Sequence, residues 1–170
     1  MSLSLERRLH QGSEALGLHL SDAQHQHLLT YIDLLQKWNR VYNLTAVKDP
    51  EHMLTQHVLD CLAVVRPLNE TVPLAKSLLD VGAGGGLPSV VLAIACPDLT
   101  VLAVDAVAKK TAFIQSTAHT LGLANLQAQH TRVESLSQTF DVVSSRAYAS
   151  WRILCSPHGS VWRPTVGGWP

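Results

Sequence analysis

Apolar positions in the first part of the chain recur three and four residues apart, the spacing of one helical face. Leu28, Ile32, Leu35 and Tyr42 fall on such a face, and Ser21-Asp22-Ala23-Gln24 in front of them has the form of a capping box. A second face carries Leu54, Val58, Cys61, Leu62 and Val65. Asp49 stands as its N-cap with Pro50 at the first helical position, and Arg66-Pro67 is expected to end it. A shorter helix is expected over 4–16. Near residue 76 the pattern changes to an alternation of short apolar strands and helices. The strands are expected at 77–81, 100–104, 126–130 and 140–144, and the helices at 87–95 and 108–121, the latter closed by Gly122. This order predicts an α/β fold with a parallel sheet, right-handed crossovers and both faces covered. Residues 151–170 hold three tryptophans, three prolines and three glycines and follow neither period, so the sheet is expected to stop at its fourth strand. Three parts result: a helical extension over 1–76 packed on the core, a partial sheet domain over 77–150, and a tail over 151–170.

Length and charge narrow the function classes. With 170 residues and 46% apolar content the chain can bury one core. Thirteen Lys and Arg balance thirteen Asp and Glu, so no global field attracts nucleic acid, and any such contact must come from a local patch. Three cysteines without a CxxC do not read as a disulfide framework or zinc ribbon. No apolar run is long enough to span a bilayer and no secretory leader opens the chain, so a cytoplasmic location is expected, without membrane contact. His25 and His27 lie two apart and point away from each other on a helix. No His, Cys and Asp set has ligand spacing, so no metal is expected. Without a GxSxG or a Cys/His pairing, no catalytic nucleophile is assigned.

The chemistry concentrates where the first strand runs into glycines, Asp80-Val81-Gly82-Ala83-Gly84-Gly85-Gly86-Leu87-Pro88. A dinucleotide fingerprint needs glycine at its sixth position, where Leu87 stands, so a nicotinamide-dependent oxidoreductase fits poorly. The spacing, acidic-x-Gly-x-Gly-x-Gly, suits a nucleoside with an amino-acid tail. Asp80 can orient water or the ligand's ammonium group. Asp105 ends the second strand about 20 residues on, where a carboxylate accepts both ribose hydroxyls. Val133 and Glu134 follow the third strand and can flank an adenine edge; Glu134 alone reads more as a solvated helix cap than as a ligand contact. Arg146, just past the fourth strand, suits substrate contact or a carboxylate partner. All sit at carboxyl ends of neighbouring strands, where doubly wound sheets bind ligands. Lys37, Arg40 and Lys48 beside Trp38 and Tyr42 form a basic strip with aromatics, readable either as an RNA contact or as a solvated face over core rings. Tyr148 is open between an aromatic face beside a base and packing under the sheet edge.

Four segments carry a resemblance: Lys37-Trp38-Asn39-Arg40-Val41-Tyr42-Asn43-Leu44-Thr45, His57-Val58-Leu59-Asp60, the stretch from Asp80 to Pro88, and Ser145-Arg146-Ala147-Tyr148-Ala149-Ser150. In this order they resemble the RsmG (GidB) family over roughly residues 20–150. The resemblance implies a Rossmann-like class I S-adenosylmethionine-dependent methyltransferase sheet with an N-terminal helical extension, acting on N7 of a guanosine in 16S ribosomal RNA. It implies contacts to S-adenosylmethionine at Gly82, Leu87, Val133, Glu134 and Arg146, and, by analogy with the wider methyltransferase class, ribose binding at Asp105. Asp80, Gly84 and Gly86 complete the expected cofactor set. The expected partner is 16S rRNA or the small ribosomal subunit, and a monomer is expected. Past Ser150 the family pattern of a helix, a fifth strand and a hairpin is not recognisable. The expectation is therefore a frame change or truncation there, with C-terminal strands missing and the fourth strand left as an open edge. An inactive homologue that binds RNA without methyl transfer is the alternative.

Overall fold

A computed structural model describes residues 3–147 and 150–155, with side chains described from residue 4 to residue 145. Two helices open the chain, α1 (Leu3–Ala15) and α2 (Asp22–Tyr42). At the start of α2 the capping box forms in full: the Ser21 side chain accepts from the Gln24 backbone N–H, and the Gln24 side chain accepts from the Ser21 backbone N–H. The amide nitrogen of the same Gln24 donates to the carbonyls of Ile94 and Ala95, so one residue closes the ends of two helices. Leu28, Leu29, Tyr31, Ile32 and Leu35 are fully buried, each aliphatic side chain contributing about 1.5–3 kcal/mol. Tyr42, expected on that face, is instead 41% exposed.

The second helical stretch departs from expectation. It consists of α3 (Pro50–Met53), a wide π-helical turn over Leu54–Leu59, and α4 (Asp60–Leu62). Asp49 caps it, accepting from the His52 N–H, with Pro50 at the start. Arg66-Pro67 does not end it. After a turn at residues 63–64, α5 (Val65–Thr71) begins, and Pro67 sits in its first turn. There a missing N–H leaves no helical bond unmade, so the proline is tolerated.

The sheet runs β1 (Ser77–Val81), α6 (Ser89–Ala95), β2 (Thr100–Asp105), α7 (Ala108–Leu121), β3 (Leu126–His130), a 3-10 turn (Val133–Ser135), β4 (Val142–Ala147) and β5 (Ser150–Cys155). Its order is β3-β2-β1-β4-β5. The first four strands are parallel, with Asp80 opposite Ala103 on β2 and Ser144 on β4, and Asp105 opposite His130 on β3. Asp141 pins the start of β1 to that of β4: one carboxylate oxygen accepts from the Lys76 N–H, the Ser77 N–H and the Ser77 hydroxyl. These bonds, the Lys76 N–H first, hold its carboxyl below the usual carboxylate range.

The fifth strand corrects the expectation of an open edge. Ser150–Cys155 pairs antiparallel along the whole of β4, from Val142 opposite Cys155 to Ala147 opposite Ser150. A strand paired edge to edge takes its order from backbone bonds, which a sequence without a clear period does not advertise. The remainder of the tail, 156–170, lies outside the described residues.

Both faces of the sheet are covered, but unequally. Leu78, Val101, Ala103 and Val142 join one large core with α1, α2, α5, α6 and α7. Leu79, Val104 and Val143 face the other way and, among the described residues, meet Phe140, Val133 and Leu136 from the β3–β4 crossover, with Val81 and Leu102 at the margin. Right-handed crossovers explain this. From β1 through β2 to β3 the chain moves in one direction, so α6 and α7 lie on the same face. The step back to β4 reverses direction and brings its connection to the other.

Candidate functional site

The glycines after β1 have different jobs. Gly82, Gly84 and Gly86 all hold positive φ, at +71°, +57° and +82°, a region costly for other residues. A Cβ at Gly86 would lie 2.4 Å from the Val90 side chain, so this glycine exists for packing against α6. A Cβ at Gly85 would lie 3.0 Å from Leu35 and 3.8 Å from Leu44. At Gly82 the same atom would meet nothing within 4 Å. That backbone is bare toward a cleft.

The cleft has a volume of about 350 Å³ and is lined by Val81, Gly82, Val104, Asp105, Ala106, Thr131, Arg132, Val133 and Glu134, within the size range of small-molecule sites. It opens at the carboxyl ends of β1, β2 and β3. Of the residues expected from sequence, it gathers Gly82, Asp105, Val133 and Glu134. Asp105 is 7% exposed. One of its oxygens accepts from the Val107 N–H at 2.8 Å and the other from the Gly84 N–H at 3.0 Å, with the Lys110 ammonium 3.7 Å away. A carboxylate offers about four lone-pair sites, so two remain for hydroxyl donors. The same side chain that faces the cleft therefore also ties the glycine loop to β2.

Other expected residues sit elsewhere. Asp80 is fully buried beneath the loop, where it accepts from the Ser89 N–H at the start of α6 and from the Ser144 hydroxyl on β4. Burial pushes its carboxyl up to about 6, against the opposing hydrogen bonds from Ser89 and Ser144. Leu87 is in the main core, 7% exposed, and does not line the cleft. Gly84 and Gly86 shape the loop without lining the cleft. Arg146 lies on β4 opposite Trp151 of β5, with its side chain outside the described residues; Tyr148 lies outside them altogether.

Sequence reasoning missed the support from the helical extension. The Tyr31 hydroxyl donates to the Gly85 carbonyl at 2.6 Å. The available signal was a tyrosine on an otherwise aliphatic face, since a buried phenol needs a partner. It also missed how residues 43–48 are built. Asn39 accepts from the Thr45 N–H through its side-chain oxygen and donates to the Val47 carbonyl through its amide nitrogen. The Thr45 hydroxyl meets the His57 ring at 2.7 Å and accepts from the Val47 N–H. The π turn sets His57 at that position. Leu44 is thereby pressed toward Gly85. Thr131 and Arg132 in the cleft wall were not singled out either.

Among the described residues no group of three or more His, Cys, Asp or Glu could hold a metal ion, and no helix is long and apolar enough to cross a membrane. Neither Cys61 nor Cys96 forms a disulfide among the described residues.

A family model described as GidB, rRNA small subunit methyltransferase G, matches residues 24–159, nine residues further than the four segments reached. A protein of Acidovorax ebreus named ribosomal RNA small subunit methyltransferase G is 54% identical over 98% of this chain and 80% of its own length. A protein of the same name from Acidovorax sp. strain JS42 is also 54% identical, with the same coverage. In fold, the chain is similar to the SAH-bound Podospora anserina methyltransferase PaMTH1. The TM-score is 0.51 at 13% identity, over 85% of this chain and 57% of that one.

Proposed function

The chain belongs to the GidB family, rRNA small subunit methyltransferase G, and we propose that it transfers a methyl group from S-adenosylmethionine to N7 of a guanosine in 16S ribosomal RNA. The cleft carries this reading: bare backbone at Gly82, a buried carboxylate at Asp105 and the Val133-Glu134 pair meet at the ends of three adjacent parallel strands. These groups fit an adenosyl ligand. Asp105 would accept from the ribose hydroxyls, Val133 would pack against the adenine, and Glu134 would accept from its amino group. The loop from Gly82 to Gly86 would pass the amino-acid tail, and Arg146 would stand at the β4 side. Asp80 and Leu87 act from below, as positioning residues that hold the loop's floor.

The bound donor supplies a methyl group on a cationic sulfur. Guanine N7 presents a lone pair and no proton, so the reaction asks the protein for no general base. The residues' task is to hold donor and acceptor in line at about 3–3.5 Å and to exclude water. Such a task is met by a rigid cleft floor, here Asp80 bonded into α6 and β4, and by a loop fixed from both sides through Tyr31 and Asp105. The partner is the RNA of the small ribosomal subunit.

The test is methyl transfer from labelled S-adenosylmethionine to under-methylated small ribosomal subunits, followed by nucleoside analysis. The expected product is 7-methylguanosine at one site. Donor binding without any transfer would place the chain among non-catalytic RNA-binding homologues.

A further inference from the structure

At the carboxyl end of α2 lies a second cavity, of about 390 Å³, lined by Gln36, Asn39, Arg40, Asn43 and Lys48. Two cations and three amides face it, and among the described residues no carboxylate lines its wall. We propose that this pocket grips a backbone phosphate of the substrate RNA through Arg40 and Lys48, anchoring the strand beside the mouth of the cleft. The proposal rests on the function proposed above and extends it to where the RNA is held.

The charges are uncommitted. Arg8 pairs with Glu51, Arg66 with Glu70, and Lys110 approaches Asp105. Arg40 and Lys48 have neither an ion pair nor a hydrogen bond among the described residues. In a chain whose charges balance, two adjacent unpaired cations are a local feature and not a general excess. Asp49, next to Lys48, is occupied as the cap of α3, accepting from the His52 N–H. The last-turn position of Arg40 also suits the helix dipole, but no side-chain bond from it to the α2 carbonyls forms. The terminal cap bond runs from the Asn43 N–H to the Asn39 carbonyl.

The pocket is built, and it is close to the chemistry. The paired bonds of Asn39 fix the segment bearing Lys48 onto the helix bearing Arg40. Leu44 in that segment abuts Gly85 of the glycine loop. Tyr42, at the end of α2, lies under the Lys109 ammonium, 5.4 Å from its ring centre, and Lys109 is in the first turn of α7, four residues beyond Asp105. A phosphate suits the wall: a guanidinium gives a two-pronged contact, an ammonium a point charge, and the amides of Gln36 and Asn43 further N–H donors.

The experiment compares the wild-type chain with Arg40→Gln/Lys48→Gln, using Arg66→Gln as a surface control. Binding to under-methylated small subunits is measured across a salt series, and S-adenosylmethionine binding by calorimetry. The double variant is expected to bind RNA at least fivefold more weakly near 0.1 M salt. Its log–log salt slope should be shallower by about 0.7–0.9, as one phosphate contact is lost. Its donor affinity should match wild type. Arg40→Lys/Lys48→Arg should restore most of the RNA affinity, and the control should change nothing. Unchanged RNA affinity and slope, with donor binding intact, overturns the proposal. A wild-type chain that binds no S-adenosylmethionine instead overturns the function proposed above, and the RNA-binding difference still decides the pocket.

Discussion

The loop at 82–86 and the loop at 43–48 lie side by side, since a Cβ at Gly85 would be 3.8 Å from the Leu44 Cβ, yet they are shaped by different means. The first has almost no side chains. Its backbone visits positive φ three times, and its form is imposed from outside, by the Tyr31 hydroxyl, the Asp105 carboxylate and the packing of Leu35 and Val90. The second is held by side-chain bonds from the elements that flank it: Asn39 on α2 bonds the Thr45 N–H and the Val47 carbonyl, and His57 on the π turn meets the Thr45 hydroxyl. A ligand can lie against bare backbone only if nothing projects from it, so the cleft loop gives up its side chains and borrows its rigidity. The other loop keeps its side chains, and its one cation, Lys48, has no ion pair among the described residues.

The largest effect should separate the two kinds of glycine in the cleft loop. Gly86→Ala combines positive-φ strain with a clash against Val90 and is expected to cost about 3 kcal/mol or more. Gly82→Ala meets open space and should cost only the strain, about 1–2 kcal/mol. Urea melts of both variants check this; equal losses would break the distinction between a packing glycine and a cleft glycine.

The floor of the same loop should carry a pH signature. Asp80 ionises at about 6 when folded, raised by burial from 3.8. The folded state then holds this proton more tightly than the unfolded one. Stability is therefore highest below the unfolded value and falls as pH rises through the window from about 4 to about 6, by on the order of 3 kcal/mol, then levels. Asp80→Asn should flatten that fall in melts taken from pH 4 to 8. Asp141, whose carboxyl is held low, contributes in the opposite sense: its stabilisation is lost as pH falls through its folded value, so the two slopes are separable.

For the loop at 43–48, Asn39→Ala leaves the Thr45 N–H and the Val47 carbonyl without their partner. A loss of about 2–3 kcal/mol is expected, read in the same melts. No measurable loss would mean that the Asn39 bonds do not set the shape of the loop. Smallest is Asp105→Ala, expected to weaken S-adenosylmethionine binding by about 1–2 kcal/mol. Unchanged affinity by calorimetry would remove Asp105 from the ligand site and leave it only its bond to Gly84.

The sequence by itself determined what short-range physics encodes. The capping box of α2, the cap at Asp49, the Gly122 stop, and the strand–helix alternation all depend on residues within a few positions of one another; the caps and the stop stand where the pattern put them, while the helix expected from 87 begins at Ser89 and the fourth strand, expected at 140–144, runs over Val142–Ala147. The position of the loop was legible, and with it the meeting of Gly82, Asp105, Val133 and Glu134 at one cleft, because parallel strands deliver their ends to one edge. Tertiary structure alone decided which acid faces the cleft and which is buried under it, that Leu87 belongs to the core, and that Pro67 starts a helix. It also decided that a strand from an aperiodic tail covers β4, and that Tyr31 reaches a carbonyl 54 residues away. Each of these depends on a partner distant in the chain. Local spacing carries no information about such a partner until the sheet register and the packing of the helices upon it bring the two together.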